Sequence, residues 1–407
     1  MISASLSPDT EFDDVFAAAK TFCMPWLWKR GEAILAVEEW FRSYFNGETA
    51  VVFSSGRMAE TAILQSFSIG KGDDVLVQAF TCVAVPNSVL WAGATPIFVD
   101  IDTSGNIDVG DAEKKVTPQT KAMIVQHTFG IAADIKAIVA FCTLHNLILI
   151  EDCAHSLGIR VEGKLLGTFA DAAFFSFGRD KVISSVWGGV AIINNLRPKE
   201  SKRLCTLKDS LRFPSYAFIA KQLIHPLLFF VSMPLYRVGI GKVFIALFRA
   251  LSLISLPIFP IELYGGMPKE LVTRYPNALA RLIFNQLKKL DRYTRMRSET
   301  TKGYKTIISK SNKIKTFETP FGATYLRFPI LVTDKSTLIR DAKKDGILLG
   351  NWYGHVIDPK GVSFESIGYR KGSCPKAEKV SQHILNLPTR LTERERAHVN
   401  SFLSRHV

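Results

Sequence analysis

The apolar positions change their period along the chain, and those changes mark out its elements. Residues 31–45 carry apolar side chains on one helical stripe and predict an amphipathic helix. From about residue 50 to 195, short β-branched runs alternate with helical patterns. Residues 50–53 read as a strand, followed by Ser54-Ser55-Gly56 and a helix through Ile63 and Phe67. Further strands are predicted at 74–78, 96–99, 122–125, 147–151, 172–177 and 190–194. Helices near 86–92, 109–116 and 134–145 lie between several of them. Such alternation predicts an α/β fold, a mainly parallel sheet flanked by helices on both faces.

The stretch 212–262 breaks that rhythm. It is densely apolar, with Leu227 to Val231 in one run and Phe244, Ile245, Leu247 and Phe248 in another. Its longest uncharged segment, 222–236, has 15 residues and contains Pro226 and Pro234. A spanning helix needs roughly 20 apolar residues, so this one is too short and too broken to cross a bilayer. Lys221, Arg237, Lys242 and Arg249 punctuate it, as in helices that lie in a membrane interface. Packing over the sheet or against a second subunit stays open beside that reading. Beyond it, 277–297 reads as one long helix with Leu279, Leu282, Ile283, Leu287 and Leu290 on one face. Residues 314–400 read as a second, smaller α/β domain, with a strand at 325–332 and a helix at 336–345. The expected division is a large domain at 1–210, an apolar helical insertion at 211–265 and a C-terminal unit at 266–407.

Composition narrows the partners. A chain of 407 residues can bury two cores, and 47% hydrophobic with 22% charged residues leaves disorder only to the first dozen positions. Lys and Arg outnumber Asp and Glu by 51 to 37, a formal +14, which suits an anionic partner or simply a basic surface. No basic block is interleaved with aromatics, so nucleic acid is not expected; a phosphorylated metabolite or lipid headgroup remains. The six cysteines are scattered without a Cys-x-x-Cys pair, which suggests neither a metal site nor a disulfide framework. The N-terminus carries Asp9, Glu11, Asp13 and Asp14 and no signal-peptide pattern. A reducing, cytoplasmic setting is expected, at the inner face of the membrane if the insertion binds there.

Three positions then carry candidate chemistry. Ser55-Gly56 ends a strand and opens a helix, where the backbone amides of Gly56 and Arg57 can hold an anion. Asp152 follows one strand and Lys181 another, so adjacent strand ends bring both to the rim where open α/β sheets bind ligands. Taken singly, each has an ordinary explanation: a helix cap, a turn aspartate, a solvated lysine. Together they match what pyridoxal phosphate requires, namely a lysine for a Schiff base, a carboxylate for the pyridine nitrogen and a phosphate turn.

The order and spacing of several motifs resemble the DegT/DnrJ/EryC1/StrS family, sugar aminotransferases of fold type I. Phe53-Ser54-Ser55-Gly56 is similar to the family's phosphate turn, and the run from Gly93 to Asp100 to the stretch ending its next strand. Glu151-Asp152-Cys153-Ala154-His155-Ser156 resembles the Glu-Asp-x-Ala-Gln/His block, and Ser176 to Lys181 the Ser-Phe-x-x-x-Lys block, with Gly188-Gly189 trailing. Cys374 to Glu378 and Leu387-Pro388 are similar to Pro-x-Ala-Glu and Leu-Pro. The resemblance covers about residues 33–200 and 275–400.

It implies that Lys181 holds pyridoxal 5'-phosphate and acts as acid and base, with Asp152 on the pyridinium nitrogen. Ser55, Gly56, Arg57 and Ser176 would surround the phosphate, and His155 would stand near the cofactor's oxygen, unless it is a core histidine. Three departures stand out. Arg57 replaces the usual Thr, where its guanidinium could grip the phosphate bidentately. Cys82 stands where an aromatic often stacks on the ring. Val272-Thr273 falls where an Asn is donated across a dimer, although Arg274 keeps the arginine two residues on. Some members carry His for the lysine and act as dehydratases, so Lys181 favours transamination. The implied reaction moves an amino group from a donor such as glutamate to a keto-sugar, a 4-keto-6-deoxy sugar on a nucleotide, another phosphate or a lipid, in a homodimer. The alternative is a protein of the same fold that no longer catalyses and serves as a membrane-peripheral scaffold.

Overall fold

The computed structural model describes residues 1–4, 9–46, 49–236 and 239–407. Its centre is one seven-stranded sheet built from β1 (Thr49–Phe53), β2 (Asp74–Gln78), β3 (Thr95–Val99), β4 (Thr120–Gln126), β5 (Ile148–Asp152), β6 (Ala172–Ser176) and β7 (Gly189–Ile193). The spatial order is β1-β7-β6-β5-β4-β2-β3. Strand β7 runs antiparallel to both neighbours, and every other pairing is parallel. Each of the seven predicted strands lands in this sheet within two residues at either end.

Apolar alternation explains why both faces are covered. Val75, Val77, Ile124 and Ile150 point into one core, while Leu76, Met123, Val125 and Leu149 point into another on the opposite face. Helices α1 (Phe12–Phe22) and α2 (Ala33–Tyr44) precede the sheet, and α3 (Gly56–Ser66), α4 (Ala84–Ala92), α5 (Val109–Ala112), α6 (Ile135–Leu144) and α7 (Pro198–Ser210) follow within it or after it. The helix expected at 109–116 closes after one turn.

The insertion divides into unlike halves. Helix α8 (Tyr216–Ser232) packs on α1 and buries Ile219, Leu223, Pro226 and Phe229, as an ordinary covering helix does. Helix α9 (Ile240–Ala250) buries only Gly241 and leaves Ile240, Val243 and Leu247 about half exposed or more, at 49%, 65% and 49%. Arg237, one of the cations that punctuate the insertion, lies outside the described residues. Among the described residues no helix is long and apolar enough to cross a membrane.

The single helix expected at 277–297 is two, α10 (Asn277–Leu287) and α11 (Leu290–Ile308). The break at Lys288-Lys289 turns the Lys289 amine onto Asp13 and Asp14, at 2.5 and 2.9 Å. Strand and helix of the C-terminal unit are Phe328–Leu331, paired antiparallel with Ile384–Leu387, and Lys335–Lys344.

Composition left the first dozen residues as the place for disorder, yet those described are docked. Ile2–Ser3 pairs in parallel with Ile347–Leu348. Asp9 is 1% exposed and meets Arg297 at 3.1 Å and Arg390 at 2.8 Å. The same Arg297 donates to the Val182 carbonyl at 3.0 Å, one residue from Lys181. Asp9→Ala removes the counter-charge from the buried Arg297 and the partly buried Arg390. It is expected to lower unfolding stability by about 3 kcal/mol, read as a reduced midpoint in urea.

Candidate active site

The rim of the sheet gathers the candidate residues. Strands β5 and β6 are parallel neighbours, with Asp152 opposite Phe174, so Asp152 and Ser176 emerge at the same edge. Strand β1 ends beside them and feeds Ser54-Ser55-Gly56 into α3. The Ser55 hydroxyl accepts from the Met58 amide at 3.2 Å and caps the helix. The first-turn amides of Gly56 and Arg57 are left without intrahelical acceptors, in the position that attracts an anion. Space there is tight. A Cβ on Gly56 would come within 3.0 Å of the Ser176 Cβ, and one on Gly189 within 2.5 Å of the Gly56 nitrogen. Only backbone fits between these three strand ends.

Lys181 sits in the loop after β6, held by Lys181 N–H to Gly178 O at 3.2 Å and Ser185 N–H to Phe177 O at 3.1 Å. Its Nζ lies 3.0 Å from His155 Nε2. His155 is buried, and its Nδ1 accepts the Phe129 amide at 3.2 Å. Burial, reinforced by the charges of Lys181 and Arg327, holds this imidazole well below the usual histidine range. It is therefore neutral, with Nδ1 as an acceptor for a backbone amide.

Asp152 is 4% exposed and accepts the Ala154 amide at 2.9 Å. Burial raises its pKa against the opposing pull of that amide, Lys181 and His127. Among the described residues it has no ion pair, so a buried carboxylate stands ready for a cation. Glu151 beside it is a brace: it accepts from Gly167, Phe169 and Ala170 amides at 2.8, 2.8 and 3.1 Å and faces His127 Nε2 at 3.1 Å.

Arg57 departs from expectation. Its guanidinium pairs with the buried Glu262 and donates to the Pro257 carbonyl at 3.0 Å, while lying 5.3 Å over Trp187. The side chain is thus drawn to the insertion, and only its backbone amide remains for the turn. The insertion is fastened here, with Asn87 Nδ2 and Trp91 Nε1 each donating at 2.9 Å to the Glu262 and Gly265 carbonyls. Cys82 lies in a two-residue strand paired with Ile357–Asp358, and burial pushes its thiol up to about 11.

Three residues were missed. Tyr353 is buried and stacks on Phe129 at 5.4 Å and on His155 at 6.4 Å, so an aromatic from the C-terminal unit walls the site. Arg327 clamps the lysine loop, donating to Asp180 Oδ2 at 2.9 Å and to the Asp180 carbonyl at 3.1 Å. Burial disfavours the Asp180 charge, but Arg327 and Lys181 outweigh it and hold the carboxyl below its ordinary range. Glu60, inside α3, is 1% exposed with no partner for Oε1; burial first and the Asp152 charge second push its carboxyl well up. A lone charge inside an apolar run, as at Arg327 and Glu60, is the signal that marks such residues.

The chain matches the DegT/DnrJ/EryC1/StrS aminotransferase family over residues 11–211 and 272–403. It belongs to that family. The unmatched stretch between those segments contains α8 and α9. GDP-perosamine synthase of Vibrio cholerae is 37% identical over 171 residues, 42% of this chain and 47% of that protein, so the alignment spans about half the relative's length. A pleiotropic regulatory protein of Geobacillus stearothermophilus is 27% identical over 88% of this chain and 84% of its own. Among solved structures, DesV of S. venezuelae superposes with a TM-score of 0.74 at 22% identity, covering 97% of this chain and 94% of its own. The fold is that of the pyridoxal-phosphate-dependent aminotransferases, as the sequence led one to expect, and the family's aminotransferases depend on pyridoxal 5'-phosphate. The residues present fit that group: a carboxylate lacking a cation, a turn too tight for side chains and a lysine at the same rim.

Two buried neutral histidines make stability depend on pH. Burial holds both His155 and His225 well below the histidine range, with Arg179 adding at His225. Unfolding lets each bind a proton below about pH 6.5. Their contribution is fully present above that value and is lost as pH falls through it, by up to about 1.4 kcal/mol per pH unit per histidine. Urea titrations from pH 7.5 to 5.5 are expected to show this decline, and His155→Gln to flatten it by about one proton.

Proposed function

We propose that this protein is a pyridoxal-phosphate-dependent aminotransferase that moves an amino group, from glutamate as donor, to a keto-sugar carried on a nucleotide, another phosphate or a lipid. The observation that carries this reading is the Lys181 amine, 3.0 Å from a neutral imidazole and on the same rim as Asp152. Bound cofactor supplies an electron sink for the carbanion. The remaining work belongs to the chain. Asp152 would pair with the protonated ring nitrogen and keep it charged. Gly56 and Arg57 amides and the Ser176 hydroxyl would hold the phosphate, with Ser55 fixing the turn as its cap. His155 would stand near the ring oxygen.

Lys181 would be the residue that holds the cofactor, and its amine would take the proton from the donor α-carbon and deliver one to the sugar carbon. Tyr353 and Phe129 keep water from that side of the site. Relatives such as GDP-perosamine synthase support a sugar acceptor. The division at 1–210, 211–265 and 266–407 and assembly as a homodimer go with this reading.

Lys181→Ala is expected to abolish the visible band of the loaded protein and to cut amino transfer by more than about a thousandfold. Asp152→Asn keeps the band but slows its loss on glutamate addition by about a hundredfold or more. Turnover surviving in Lys181→Ala would sink the assignment, and a wild-type chain that binds cofactor without reacting with glutamate would favour the scaffold alternative.

A membrane-peripheral setting is part of the proposal, supported by the uncovered apolar face of α9 with Lys242 and Arg249 on the same helix. Flotation with anionic liposomes is expected to carry the protein, and deletion of 214–262 to release it. Absence of flotation in the intact chain would leave that face to a second subunit.

A further inference from the structure

Arg179 lies two residues before Lys181 in the loop that carries it, and nothing in the site described above uses it. Its guanidinium has no hydrogen bond or ion pair among the described residues, and Nη2 is shut off from solvent without an acceptor. The adjacent carboxylate does not answer it, because Asp180 is taken by Arg327 at 2.9 Å. Besides the pull of Asp180, the charged groups that sense Arg179 come from the insertion. Arg249 of α9 repels it, and the buried His225 of α8 is disfavoured as a cation by it. Burial first, and Arg249 against the opposing pull of Asp180, bring the guanidinium down to about 10, so it stays charged at neutral pH.

An arginine in this state carries a cost. The two donors on Nη2 are withdrawn from water and meet no acceptor in return. A second guanidinium close by raises that cost. Two mutually repelling cations are balanced better by a dianion than by a single carboxylate, and a planar fork matches phosphate oxygens bidentately. The place is also suggestive, between the lysine loop on one side and the apolar insertion on the other.

We propose that Arg179, together with Arg249, binds a phosphate or diphosphate group of the keto-sugar's carrier and so selects a phosphate-bearing acceptor. This rests on the aminotransferase reading for the identity of the acceptor, but anion binding can be read without turnover. A phosphate held here would neutralise the pair and bring the attached sugar to the loop that carries Lys181.

Calorimetric titration of cofactor-loaded protein with inorganic pyrophosphate tests this, the Gly56 turn being already filled. Wild type is expected to bind, and Arg179→Met to weaken binding at least about tenfold, with Arg249→Met weakening it less. Arg179→Lys keeps a charge but not the fork, and should fall between wild type and Arg179→Met. Because Arg179 is unanswered in the free protein, Arg179→Met should also unfold at a higher temperature than wild type, the reverse of a structural role. Unchanged pyrophosphate affinity in a folded Arg179→Met overturns the proposal. So does unchanged affinity with loss of the glutamate reaction, which would assign Arg179 to the donor's carboxylate. Lys181→Ala keeps pyrophosphate binding if the phosphate site is real, even should the transamination reading fail. Competition by vesicles bearing an isoprenyl diphosphate points to a lipid carrier, and competition by a soluble nucleoside diphosphate alone to a nucleotide; either supports a phosphate contact at Arg179.

Discussion

Three strand ends converge where there is room for backbone but not for side chains, and the rest of the site is arranged around that close approach. Gly56 opens α3 against Ser176 at the end of β6, and Gly189 at the start of β7 lies against Gly56. Strand β7 reaches that point because it runs against its neighbours, so its beginning meets their ends. The helix amides are thereby presented at the sheet's edge, in the low-dielectric setting where oriented dipoles act most strongly on an anion. Lys181, in the loop after β6, and Asp152, at the end of the neighbouring β5, lie at the same edge of the sheet.

Around the cradle, the charge balance of the interior is deliberately incomplete. Some buried charges are answered inside the chain: Asp180 by Arg327, Arg57 by Glu262, Asp9 by Arg297 and Arg390. Others are not. Among the described residues Asp152 has no ion-pair partner, Glu60 has an orphaned oxygen and Arg179 an orphaned nitrogen. Burying a charge without a partner is unfavourable, so groups left in this state beside Lys181 are candidates to meet ligands or protons. The answered pairs also do mechanical work. Arg327 and Arg297 bind the lysine loop from the C-terminal unit and from α11, while the Glu262 pair ties the insertion to the turn at Gly56.

Much of the frame was legible along the chain. The seven strands could be placed because each is a short β-branched run, buried on both sides and bounded by turns. Motif order carried the family, and the residues it singled out, Ser55, Gly56, Asp152, His155, Ser176 and Lys181, do gather at one rim. The single long helix at 277–297 failed because an apolar stripe does not report a break, and Lys289 turns toward acidic residues some 270 positions earlier, as its bonds to Asp13 and Asp14 show. The insertion could not be divided from its composition, since buried α8 and exposed α9 are equally apolar.

What the sequence alone determined, then, is everything governed by local period and motif spacing: strand positions, the sheet's parallel character, the family and the cap at Ser55. These follow from interactions within a few residues or from side-chain identity itself. Tertiary structure decided which charges find partners. Arg57 faces Glu262 rather than an anion, Tyr353 walls the site, and Arg179 is left without an acceptor because its neighbour is claimed by a residue 147 positions away. Such outcomes depend on which distant groups the fold brings into contact, and on how much water it leaves them, neither of which is written in any local stretch of the chain.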